Sequence, residues 1–134
     1  MSLDIREGER EGIAILALKG RLTVGEASSV REKVSALLAA GRKNIIFDLD
    51  GVDYIDSTGL GSMVICYTTV KKAEGALKLL KLNKRNIELL LLTKLHTIFE
   101  VFSDEQDAVN SFFPNREIKR FDILSFVQEQ GQEE

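Results

Sequence analysis

Residues 54–61 read "YIDSTGLG". An acid, Asp56, two hydroxyls, Ser57 and Thr58, and two glycines, Gly59 and Gly61, follow directly on an apolar strand. Leu60, Met63, Val64, Tyr67 and Val70 then repeat at helical spacing. The stretch is a strand-to-helix junction, with Asp56 or Ser57 as the cap whose oxygen accepts the first free N–H groups. Capping does not account for the glycines. Each glycine in a first helical turn costs of order 1 kcal/mol against alanine, so close approach of another backbone or a partner surface must offset it. A hydroxyl at a helix start is open to a partner, and a phosphate there would meet the helix dipole and free amides.

Working upstream, "NIIFDLD" (44–50) is a continuous apolar run ending in acids, the pattern of a buried central strand. Before it, "TVGE" presents Thr23 and Glu26 as a capping box. Ala27, Val30, Val34, Leu37 and Leu38 continue as a helical stripe that Gly41 stops. Leu3, Ile5 and the alternating "IAILALKGRL" (13–22) read as two strands around the polar turn "EGEREG". Downstream, Lys71 and Lys72 suit a helix C-terminus and Gly75 ends that helix. "ALKLLKL" (76–82) is a strand, "RNIELLLLTKL" a helix, "IFEVF" a short strand, and "SDEQDAVNSFF" a helix capped by Ser103 or Asp104. This alternation predicts one α/β domain over residues 1–113, a central mixed sheet of four to five strands packed with about four to five helices. Pro114 marks a boundary. Residues 114–134 form a C-terminal extension in which Ile118, Phe121, Leu124 and Val127 give an amphipathic helix before a solvated end.

Composition excludes several classes. With 44% hydrophobic and 29% charged residues the 134-residue chain can bury a core. Its net charge of −3 and scattered cations carry no nucleic-acid footprint. No apolar run reaches the roughly 20 residues that span a bilayer, and no cationic leader with a cleavable apolar core is seen, so a cytoplasmic domain is expected. Cys66, the single cysteine, allows no internal disulfide and reads as a small core residue. His96, the single histidine, forms no legible acid–His–Ser order with Ser57 and reads as a half-exposed surface residue.

One enzymatic motif competes. "IIFDLDGVD" resembles the first motif of the haloacid-dehalogenase-type phosphatases. That resemblance would make Asp48 the nucleophile and Asp50 the general acid/base, with magnesium between them. In that family the motif opens the chain, whereas here two strands and a helix precede it. A buried strand with an acidic end is the preferred reading.

"DSTGLG" after an apolar strand and a short acidic turn resembles the STAS domain, in particular the bacterial anti-sigma factor antagonists with their Asp-Ser-Ser/Thr-Gly-Leu-Gly signature. "LKGRL", "NIIFDLDGVDYID" and the following strand–helix–strand–helix order extend the resemblance over roughly residues 3–113. It implies a regulatory binding protein with no enzymatic activity and no cofactor of its own. Ser57 would be the phospho-acceptor. Thr23, Asp56, Ser57, Thr58, Gly59, Leu60 and Gly61 would form the partner surface, although Thr23 stands where the family often has an acid. The implied partners are an anti-sigma factor that is a serine kinase and a PP2C-type phosphatase that resets the switch, with no nucleic acid and no membrane; a homodimer is compatible. The alternative within the family is a STAS docking subunit of a larger assembly, such as a lipid-transport complex or a stress-signalling scaffold.

Overall fold

The computed structural model describes residues 3–123. Five strands and four helices follow in chain order: β1 (Leu3–Arg10), β2 (Ile13–Leu22), α1 (Ala27–Ala39), β3 (Asn44–Ile55), α2 (Ser57–Lys72), β4 (Ala76–Leu80), α3 (Lys84–Leu92), β5 (Val101–Phe102) and α4 (Glu105–Asn110). The sheet order is β1-β2-β3-β4-β5, with β1 antiparallel to β2 and every other pair parallel. The expected mixed α/β sheet is thus present. The polar turn is shorter than the sequence implies, because β1 runs on to Arg10 and pairs with Ile13. Glu11 and Gly12 alone turn the chain, both at positive φ (52° and 84°), as a two-residue hairpin matching the strand twist demands.

The sequence ends the central strand at Asp50, but β3 continues to Ile55. Its pairing with β2 slips between Ala17 and Lys19 and again between Gly20 and Arg21. Each slip reverses the face a residue meets. Ile45, Phe47 and Leu49, then Val52, then Ile55 therefore all enter the same core. A strict alternation would have put Val52 in water. Gly51 sits at the first slip, where a Cβ would lie 3.1 Å from the Leu18 carbonyl.

That core joins one sheet face to α1, α2 and α3 through Val30, Val34, Leu60, Met63, Cys66, Val70 and Leu90. The opposite face holds a smaller cluster, in which Ala108 and Val109 of α4 cover Ile46, Leu80 and Phe102. Asp104 caps α4 by accepting the Asp107 N–H at 3.1 Å. The capping box at Thr23 does not form as expected. Residues 24–26 make a turn first, and Glu26 precedes the helix without a side-chain cap. It is the Thr23 carbonyl, not its hydroxyl, that accepts the Glu26 and Ala27 N–H groups at 3.0 Å.

Gly41 stops α1 as expected, at φ 81°, with its N–H on the Leu38 carbonyl and that of Arg42 on Leu37. The end of α2 uses the same hydrogen bonds with the roles divided. Glu74 takes the left-handed conformation (φ 64°), and Gly75 follows because a Cβ there would lie 2.1 Å from the Lys43 carbonyl. Beyond Pro114 the expected helix is absent over residues 117–122, and helical geometry begins at Ile123. The Phe121 N–H donates to the Val101 carbonyl at 3.1 Å, and Phe121 and Ile123 pack half-buried on the main core. The expected helical positions Leu124 and Val127 lie outside the described residues.

Because Glu74 is a side-chain-bearing residue in the left-handed region, Glu74→Gly should raise stability in urea unfolding by about 0.5–1 kcal/mol, the left-handed strain outweighing glycine's extra unfolded-state entropy. A destabilised variant would contradict the helix-end geometry.

Candidate functional site

Asp56 occupies the junction between β3 and α2 in an extended conformation (φ −93°, ψ −179°). Its Oδ1 accepts the Gly59 N–H at 2.7 Å, which makes Asp56, not Ser57, the helix cap. Its Oδ2 accepts the Val24 N–H at 3.3 Å, and its own N–H donates to the Leu22 carbonyl at 3.2 Å. One residue thus ties together the end of β2, the turn before α1 and the start of α2. The hydroxyl of Thr23 lies 3.5 Å from Glu26, half-buried beside this junction.

The two glycines serve different ends. A Cβ on Gly59 would lie 2.1 Å from the Leu22 carbonyl, so α2 can meet β2 this closely only with glycine there. Gly61 is exposed, and a Cβ on it would meet nothing within 4 Å. Close backbone approach therefore explains the first glycine and leaves the second unexplained by the fold.

Ser57 is the first residue of α2 and is exposed; among the described residues its hydroxyl has no hydrogen-bond partner. Thr58 is exposed beside it. Gly59 and Leu60 are buried, Leu60 at 6% exposure within the main core, so they lie beneath the exposed Ser57 and Thr58. Ser57, Gly61 and Ile65 recur at a spacing of four and share one helix face. Ile65 is 50% exposed and Val24, which Asp56 tethers, is 72% exposed. From Ser57 to Val70 the helix carries no charged side chain. An uncharged, partly apolar solvent face is unusual for an amphipathic surface helix. The sequence holds the signal for Ile65, which falls off the buried stripe, whereas the exposure of Val24 depends on the fold. Cys66, 1% exposed, lies under this face; burial pushes its thiol up to about 11, which makes it inert at neutral pH.

The other edge of the β3 end is held by side chains. β3 pairs with β4 only as far as Asp48. Beyond it, Asn83 and the buried Asn86 of the α3 start each donate an Nδ2 hydrogen to the Val52 carbonyl, at 3.2 and 3.1 Å. The Arg85 guanidinium donates to the Ile55 carbonyl at 3.3 Å. Asn83 also caps α3 by accepting the Asn86 N–H at 2.8 Å. Tyr54 lies between two guanidiniums, with Arg21 and Arg85 at 4.7 and 4.0 Å from its ring centroid. None of these residues stands out locally in the sequence.

The structure does not bring the competing enzymatic residues to this junction. Asp48 and Asp50 lie in mid-strand, where the Asp48 Oδ1 accepts the Asp50 N–H at 3.1 Å. They line an open groove with Asp4, Arg6 and Lys19 on the sheet face away from α1 and α2. Sites on parallel sheets form instead beyond the C-terminal strand ends, and β3 ends at Ile55. Among the described residues no group of three or more His, Cys, Asp or Glu side chains is placed to hold a metal ion. His96 falls in a short 3-10 turn (Leu95–Thr97) after α3, whose opposite end meets Val52. No helix among the described residues is long and apolar enough to cross a membrane.

The contrast between the glycines is testable. Gly59→Ala should cost about 1–3 kcal/mol through overpacking against Leu22, whereas Gly61→Ala should stabilise by up to about 1 kcal/mol through helix propensity. Thermal melts of the two variants check this, and equal effects would contradict the assignment.

The sequence matches the STAS domain family over residues 5–108. The anti-sigma-B factor antagonist of Bacillus subtilis (strain 168) is 33% identical over 109 residues, spanning 81% of this chain and 97% of that protein. Among solved structures, an anti-sigma factor antagonist from Mycobacterium paratuberculosis has a TM-score of 0.74 at 19% identity, covering 82% of this chain and 93% of that one. The Bacillus cell fate determinant SpoIIAA, in its phosphorylated form, has a TM-score of 0.65 at 17% identity, covering 81% and 99%. The two structural likenesses bear on the fold alone. The family match takes in all of the sheet but the first two residues of β1, together with the Asp56–Gly61 junction, and by it this chain belongs to the STAS domain family.

Proposed function

We propose that this protein is an anti-sigma factor antagonist: it binds an anti-sigma factor that is also a serine kinase, and so releases a sigma factor. The observation that carries this reading is the unpartnered, exposed Ser57 hydroxyl at the head of an uncharged helix face. The relatedness to the anti-sigma-B factor antagonist supports it. Val24, Ser57, Thr58, Gly61 and Ile65 form the docking surface, with Thr23, Asp56, Gly59 and Leu60 beneath or beside it. The open space over Gly61 lets a partner backbone lie close to the helix.

Phosphorylation switches the complex. The Ser57 oxygen attacks the γ-phosphorus of the kinase-bound ATP. An O–P bond forms, the bond to the ADP oxygen breaks, and the hydroxyl proton passes to a base on the kinase. The product adds about −1.5 to −2 charges. A helix start tolerates that anion in the free protein. In the complex it is desolvated against a surface matched to a neutral residue, and such mispairing costs about 2–5 kcal/mol, roughly thirtyfold to several thousandfold in affinity. A PP2C-type phosphatase, which hydrolyses the ester, restores binding.

Calorimetry against the cognate anti-sigma factor tests this. Ser57→Ala should bind like the wild type and resist phosphorylation. Ser57→Asp should bind at least about thirtyfold more weakly with an unchanged melt. A Ser57→Asp protein that binds as tightly as the wild type, or phosphate mapped to Thr58 with Ser57 intact, would falsify the switch.

A further inference from the structure

We infer that Arg21 and Arg85 form a receptor for the phosphate group on Ser57, an inference that rests on Ser57 being the acceptor. Each guanidinium stacks on Tyr54, three residues before the acceptor. Arg85 is held there by the Ile55 carbonyl at 3.3 Å and by the Asn86 Oδ1 at 3.1 Å. These bonds use one of its nitrogens, Nη1, and a guanidinium has five N–H donors in all, so others stay available. Both arginines are exposed, so an anion can reach them.

Neither has a carboxylate partner, and among the described arginines only Arg31, whose Nη1 donates to the Ser62 hydroxyl at 3.5 Å, shares this. Arg6, Arg10, Arg42, Arg116 and Arg120 each lie within 3.6 Å of an Asp or Glu oxygen. Among the described residues Arg21 and Arg85 have none, in a chain where 21 acids outnumber 18 bases. Cation–π contact with Tyr54 holds the guanidiniums in place without neutralising them. The Ile55 carbonyl that Arg85 grips is two residues from Ser57, at most about 7.6 Å of chain between Cα atoms. A phosphate on Ser57 and that cation are therefore anchored to positions two residues apart along the chain.

The carboxylates nearby give such a receptor a repulsion to offset. Asp53 and Asp56 flank the strand end, and both Asp56 oxygens already accept amide hydrogens. A phosphate dianion beside these two carboxylates is repelled. Lys84, at the start of α3, adds a further cation. Arg–phosphate pairing, with bidentate geometry open to the fork, offsets the repulsion.

The experiment uses the full chain with phosphoserine encoded at residue 57, followed by phosphorus NMR across a pH titration. Guanidiniums beside the phosphate favour its dianion, so the wild-type midpoint should fall below the usual value near 6. A unit charge about 8 Å away in water shifts such a midpoint by roughly 0.4 unit. Arg21→Gln and Arg85→Gln should each raise the midpoint by about that amount, and Arg85→Lys should retain most of the wild-type value. The Arg21 side chain makes no hydrogen bond among the described residues, so Arg21→Gln reads the charge effect even if Arg85→Gln loosens the strand end. Equal midpoints in the wild type, Arg21→Gln and Arg85→Gln overturn the receptor. Because the phosphate is installed during synthesis, a kinase that fails to modify Ser57 would count against the proposed function and leave this result unaffected.

Discussion

One carboxylate holds the junction together. Asp56 accepts the Gly59 N–H with one oxygen and the Val24 N–H with the other, while its own amide reaches the Leu22 carbonyl. A cap of this kind is worth about 1 kcal/mol by itself, but its geometric consequence is larger. Because Asp56 fills the capping position, the serine after it is left as the first helical residue with its hydroxyl unused. The acid does the structural task, and Ser57 is free for chemistry. Removing the Asp56 carboxylate would release two amides at once, one in the first turn of α2 and one in the turn before α1.

The packing beneath keeps this arrangement rigid. Leu60, Met63, Cys66 and Val70 bury the inner face of α2 against β3, and the Ser62 hydroxyl donates to the Ala27 carbonyl at 3.0 Å, fastening α1 alongside. On the outer face, Ser57, Gly61 and Ile65 contribute no charge. A close-packed interior does not deform continuously, so under the proposed switch an added charge at Ser57 would change what the surface binds before it changed the fold. The same stiffness fixes the far side, where Asn83, Asn86 and Arg85 take up the carbonyls that β4 leaves unpaired.

The alternation of strands and helices was legible because each element carries its own period. The Asp56–Gly61 junction was legible because its residues act within one turn of each other. The length of β3 was not. Its two register slips reverse the buried face twice, so Val52 looks out of phase with Ile45, Phe47 and Leu49 before Ile55 returns to their phase. Thr23 misled for a different reason: its spacing to Glu26 fits a capping box, yet the Val24 amide bonds across to Asp56 and the helix starts later. Arg21, Tyr54 and Arg85 meet across about thirty residues of chain, and such contacts leave no local pattern. The segment after Pro114 reads as helical by its apolar spacing, but over residues 117–122 the chain instead passes the β5 edge, where Phe121 bonds to Val101.

The central claim is that charge at Ser57 acts on a surface held fixed by Asp56. Amide hydrogen exchange of the serine and phosphoserine forms of the full chain tests it most directly. The account predicts that the Gly59 and Val24 amides, and those of β3 and the rest of α2, stay protected to a similar degree in both forms. Phosphorylation that speeds exchange throughout α2 or along β3 would show a switch working by local unfolding, and would contradict the account.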